Sequence, residues 1–139
     1  MYCRLVSRIN APHRPELAAA ADLRSALRQF LRRTEEAAAA NRLTPQRYDL
    51  LLQIEAASEI GEVTIGQLAE RLALGQPAVS ELVKRAEQAG LVERRSDRED
   101  GRVVRLRLTA EGSRRVLATF TELRAHRESL RDLIARLPR

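Results

Sequence analysis

The sequence predicts a mainly α-helical chain carrying one small β-hairpin. Three observations predict it. Apolar residues recur at three-and-four spacing over most of the chain, the period drops to two only between Val92 and Leu108, and Pro and Gly punctuate the rest into helices. At 139 residues there is room for a single domain with one core, taken as 1–139.

The first helix is expected over 15–41. Pro15 stands where a first turn tolerates it, Leu23, Leu27, Phe30 and Thr34 share a face, and alanine runs at 18–21 and 37–40 add propensity before Asn41. Thr44 then offers an N-cap with Pro45 behind it, opening a second helix that presents Tyr48, Leu51 and Leu52 and reaches about Ala57. Residues 59–62 read as a turn and Val63 as a short strand. Thr64 with Gln67 forms a capping box for a brief third helix over Leu68, Ala69 and Leu72, stopping near Leu74 and Gly75. Pro77 sits at the first position of a fourth helix that buries Val79, Leu82, Val83 and Ala86 and is closed by a left-handed Gly90. Two short helices about a tight, glycine-bearing turn make a helix-turn-helix.

Beyond Gly90, Val92, Arg94 and Ser96 alternate before a charged loop, Asp97 to Arg102. After the loop Val104, Leu106 and Leu108 alternate with Val103, Arg105 and Arg107, which predicts a hairpin with a polar tip. Residues 44–108 are thus expected as a winged helix-turn-helix core. The last segment is expected as one helix over 109–137, from a Thr109 N-cap to Pro138. Its Val116, Phe120, Leu123, Leu130, Ile134 and Leu137 fall on a four-and-three seam, broken by Arg127. At about 1.5 Å per residue the two terminal helices are each roughly 40 Å long, more than a domain of this size covers by itself. A second copy of the chain is therefore expected on them. The seam residues Leu23, Leu27, Phe30, Phe120, Leu123, Leu130, Ile134 and Leu137 are the candidate dimerisation contacts.

Composition narrows the partners. A net charge of +6, carried almost wholly by arginine with Lys84 the sole lysine, favours an anionic partner such as double-stranded DNA. No apolar run has the ~18 residues of a membrane span, and Arg4 and Arg8 interrupt the start before any signal-peptide core, so a cytoplasmic protein with no membrane partner is expected. Cys3 is the only cysteine and His13 and His126 the only histidines, which leaves neither a disulfide nor a metal site within one chain. No Gly-rich phosphate loop and no nucleophile-base pairing is present, so neither a cofactor nor catalysis is expected.

The candidate contacts follow from helical geometry. With the apolar face of the fourth helix turned inward, Gln76, Ala78, Ser80, Glu81, Lys84, Arg85 and Gln88 face out or flank a major groove. Gln76 and Ser80 suit base edges, Ala78 a thymine methyl, and Lys84 and Arg85 phosphates. Glu81 either accepts a cytosine amino hydrogen or turns aside to Arg85. In the hairpin Arg94, Arg98 and Arg102 are the cationic candidates. Arg102 suits a narrow minor groove, and Asp97 and Asp100 are assigned to orienting the arginines.

From Leu43-Thr44-Pro45, through Gly90-Leu91-Val92-Glu93-Arg94 and Asp97-Arg98-Glu99-Asp100-Gly101-Arg102, to Leu108-Thr109-Ala110-Glu111-Gly112, the sequence resembles the MarR family over roughly residues 40–115. That resemblance implies an obligate dimer with interlocked terminal helices, a palindromic operator, and repression relieved by a small phenolic or other ligand or by cysteine oxidation. It also implies minor-groove entry by Arg102 and anchoring of the wing by Asp97 or Asp100. The chain departs from the pattern at Gly75, where a Ser or Thr cap is common, at Ala86, where leucine is frequent, and in its single expected C-terminal helix.

Two other readings stay open. Oxidation of Cys3 would make the chain a thiol-based redox-sensing regulator, which a Cys3→Ser variant tests by peroxide response. A winged-helix protein-interaction module without DNA binding is the other, because residues 61–108 hold nine basic and eight acidic side chains, a net of only +1. Salt-dependent gel shifts separate it from a DNA binder.

Overall fold

The computed structural model describes residues 13–57, 62–96, 99, 101 and 103–138. In chain order these give α1 (Arg14–Ala40), α2 (Pro45–Ala57), β1 (Val63–Thr64), α3 (Ile65–Leu72), α4 (Gln76–Gln88), β2 (Val92–Ser96), β3 (Val104–Leu108), α5 (Ala110–Glu122) and α6 (Arg124–Ala135). Two compact units are present. Glu35–Glu122 form one, and the residues up to Thr34 together with those from Leu123 onward form the other.

Local chemistry sets the helix ends. The Thr44 hydroxyl accepts from the Arg47 N–H at 3.1 Å, capping α2. Thr64 and Gln67 close the expected capping box reciprocally, at 3.2 and 2.9 Å. Three helices end in the same Schellman pattern, in which two N–H groups fold back on the last turn. Leu43 donates to the Ala38 carbonyl and Arg42 to Ala39, Leu74 to Ala69 and Ala73 to Glu70, Leu91 to Ala86 and Gly90 to Glu87. The left-handed residue is accordingly Arg42 (φ 58°), Ala73 (φ 53°) or Gly90 (φ 75°). Gly90 has the role read from sequence. Gly75 does not supply the left-handed turn between α3 and α4. It is extended (φ −68°, ψ 150°) and serves as the N-cap of α4.

In the larger unit α2 lies at the centre, packed on α3, α4, α5 and β3. That surround explains why its buried face is wider than the expected Tyr48, Leu51 and Leu52. Tyr48, Leu50, Leu51, Ile54 and Ala57 are buried, whereas Leu52 is only half-buried. Leu43, Leu68, Val79, Val83, Ala86, Leu91, Val92, Leu106 and Val116 complete this core. The sheet is antiparallel in the order β1-β3-β2, with Val63 opposite Leu106 and Val92 opposite Leu108. A third strand thus joins the expected hairpin.

The expected single C-terminal helix is two. Between α5 and α6, Leu123 takes φ −86° and ψ −1°, far from helical ψ, and the ladder restarts with Arg127 donating to the Leu123 carbonyl at 2.8 Å. Leu123 is 2% exposed, so the break accompanies a buried leucine with neither Pro nor Gly to announce it. The departure from the family expected at this end of the chain is thereby withdrawn. The break also moves α5 into the unit of the helix-turn-helix, where the Ser113 hydroxyl donates to Glu55 of α2 at 3.1 Å.

Candidate nucleic-acid interface

The sequence around α4 builds an amphipathic helix held at its far end. Val79, Val83 and Ala86 are wholly buried and Leu82 half-buried, so the opposite face must carry the remainder. Gln76, Ala78, Glu81, Lys84, Arg85 and Gln88 are exposed, and Ser80 is half-buried. The structure therefore brings all seven expected α4 residues to one accessible surface. At the start of the helix no side chain caps the first turn, and Pro77 has no N–H to offer, so the positive end of the peptide dipoles faces outward beside Gln76 and Ala78. The Gln76 amide lies over Gly66 of α3, 3.6 Å from where a Cβ on that glycine would stand.

The glutamates of α4 are neutralised in place. Glu81 turns to Arg85 along the helix at 3.4 Å, and Glu87 meets Arg94 of β2 at 2.9 Å. Among the described residues Lys84 has no ion-pair partner, which leaves it as the uncompensated cation of the helix. Arg94 is exposed and ion-paired at once. It pairs with Leu106 in the register and shares the face of Val92, so its guanidinium is directed to α4, where it meets Glu87.

On the other face of the sheet the pairing is ionic, which sequence reasoning missed. Glu93 and Arg107 are opposite each other and joined at 2.9 Å. Arg95 and Arg105, like charges, are also opposite, an unfavourable placement relieved by Glu62. Its carboxylate meets Arg95 at 3.6 Å while its backbone carbonyl accepts from Arg105 at 3.2 Å. The alternation of Arg with apolar residues in 103–108 was the available signal, and only the register shows which charges meet. The expected wing residues Asp97, Arg98, Asp100 and Arg102 lie outside the described residues, as does Cys3.

The expected seam residues divide. In the unit built from the first part of α1 and from α6, Leu27 and Ile134 are exposed and Leu23, Phe30, Leu130 and Leu137 half-buried. Leu17 and Leu31 add further exposed apolar surface. A hollow of about 400 Å³ lies between Phe30 and Arg33 of α1 and His126 and Leu130 of α6. Phe120, on α5, is half-buried in the other unit. Leu123 is corrected, because a side chain already covered within one chain offers nothing to a second. Among the described residues, no group of three or more His, Cys, Asp or Glu is placed to hold a metal ion, and no helix is long and apolar enough to cross a membrane.

A helix-turn-helix with an antiparallel sheet beside its second helix defines a winged-helix protein. Residues 43–103 match the family model described as MarR family. The chain is 37% identical over 75 residues to an uncharacterized HTH-type transcriptional regulator, YsmB, of Bacillus subtilis strain 168, a match covering 54% of this chain and 49% of that protein. It thus spans about half the length of that curated relative. Among solved structures it resembles a MarR mutant from E. coli complexed with operator DNA, with TM-score 0.67, 18% identity and 85% and 83% of the two chains covered. It also resembles an S. aureus MepR–DNA complex, with TM-score 0.68, 21% identity and 81% and 82% covered. The fold is shared with both.

Proposed function

We propose that this chain is a sequence-specific, double-stranded DNA-binding transcriptional regulator that acts as a homodimer on a palindromic operator, as a repressor released by a small-molecule effector. The observation that carries the DNA-binding part is the accessible face of α4, where Lys84 is unpaired, Gln76 and Ser80 are at hand for base edges, and both glutamates are neutralised. The complexes of E. coli MarR and S. aureus MepR with DNA support it by their shared fold. The dimer reading is supported by the exposed Leu17, Leu27 and Leu31 of α1 and Ile134 of α6, apolar surface of the kind a second copy covers. Arg102 enters the minor groove in this reading, from its place in the sequence pattern. The repressor role, the operator symmetry and the effector rest on the family resemblance.

Titration of operator and random duplexes at several salt concentrations tests the reading. Lys84→Ala weakens both duplexes alike and makes the salt dependence shallower by roughly one unit, the signature of one lost phosphate contact. An unchanged slope removes Lys84 from the interface. No salt-dependent binding by the wild-type chain to any duplex from its own promoter region leaves the protein-interaction module instead.

A further inference from the structure

A second basic surface lies in the unit of the helix-turn-helix, away from the outward face of α4. Ala40, Asn41, Arg42, Arg114 and Arg115 line a cavity of about 280 Å³ where α1 ends beside the first turns of α5. Three guanidinium groups and no carboxylate line it. Glu111 holds two of them, meeting Arg114 at 3.0 and 2.6 Å and Arg115 at 2.8 Å. Arg115 is further fixed by donating to the Arg42 carbonyl at 3.4 Å, and its side chain is only 20% exposed. Asn41 engages Glu122 at 3.2 Å. Three cations stand against these two carboxylates, and the remainder is positive.

Arg42 decides what the cavity is for. Among the described residues its guanidinium has no ion-pair partner, and its backbone sits at φ 58°, a conformation that glycine adopts most easily. The fold would accept glycine at this helix end and carries an arginine. Arginines already oriented by a neighbouring carboxylate or carbonyl lose little freedom on meeting an oxyanion and present paired N–H donors to it.

We propose that Arg42, Arg114 and Arg115 bind a small phosphate-bearing anion. A phosphate group, with a charge of about −1.5 to −2 at neutral pH and three acceptor oxygens, matches several converging guanidiniums better than a carboxylate does. The site is independent of the reading of α4 as a DNA-contacting helix.

The experiment is thermal unfolding of the full chain at constant ionic strength, with inorganic phosphate or acetate replacing chloride. Phosphate stabilises proteins in general, so the difference between variants is what counts. The wild type gains a saturable rise in Tm with phosphate beyond that with acetate, as binding to the folded state requires. Arg42→Gly keeps or raises the Tm in chloride, because glycine relaxes the left-handed backbone, and it loses the saturable part. Arg42→Gln loses it too. A rise that persists in both variants, that is matched by acetate, or that disappears in Lys84→Gln instead overturns the proposal, as does a wild type with no saturable rise.

Discussion

Glu111 sits between Arg114 and Arg115 on the exposed first turn of α5, and hydrogen bonds from Arg114 and then Arg115 hold its pKa near about 2, below the ordinary 4.5. Glu111 raises the pKa of Arg114 in return, so the arginine stays charged wherever the carboxylate titrates. A depressed carboxylate contributes stability that is complete above its unfolded pKa and is lost as pH falls through its folded one. The Tm difference between wild type and Glu111→Gln is therefore constant above pH 4.5 and shrinks as pH falls toward 2. A difference that stays level over that window removes these pairs from the folded-state balance. At this scale Thr44, Thr64, Gln67 and Gly90 were legible, because each acts through its own side chain or its own backbone freedom. Arg42 and Ala73 were not. Their left-handed backbone is imposed by N–H groups folding back on the preceding turn, against the preference of the residue itself.

Among the elements, the join of α4 to α5 governs how α4 is held. The Thr109 hydroxyl donates to the Gly90 carbonyl at 2.7 Å, the Thr109 N–H donates to the Leu91 carbonyl at 3.0 Å, and the Gly112 N–H reaches the Thr109 hydroxyl at 3.1 Å. Gly112 lies so close beneath Leu91 that a Cβ would run into that backbone carbonyl. Gly112→Ala is accordingly expected to destabilise the chain by about 1–3 kcal/mol, as overpacking against rigid backbone does, and to weaken duplex binding beyond the loss of folded protein. Urea unfolding and duplex titration on the same samples check both, and a variant indistinguishable from wild type shows that the join gives freely. The strands and short helices were legible from period and punctuation. The break at Leu123 was not, since it involves neither Pro nor Gly, and for the short strand read at Val63 only the structure shows the partner, β3. The Arg94–Glu87 pair was not legible, because alternation places a residue on a face but does not say which helix lies against it.

For the whole molecule, the long first helix was readable from its spacing, and so was the apolar surface left over, whereas the C-terminal helix was read as one where there are two. Leu130→Glu puts a charge beside the hollow of α1 and α6 and is expected to yield monomers by analytical ultracentrifugation at concentrations where the wild type is dimeric. A persistent dimer moves the interface to other surfaces. The α4 surface was legible in position, because a helix with one buried face leaves no choice about the other. Its electrostatics were less so, for the net charge of the segment conceals that Glu81 and Glu87 are each spoken for and Lys84 is not.

The two ends of α4 are fastened differently. Its tail is clasped through Gly90 and Leu91, while the turn that begins at Gln76 has no side chain latching it. In the proposed function the residues suited to base edges thus stand at the end of α4 whose peptide N–H groups no side chain occupies, while the clasped end ties the helix to α5.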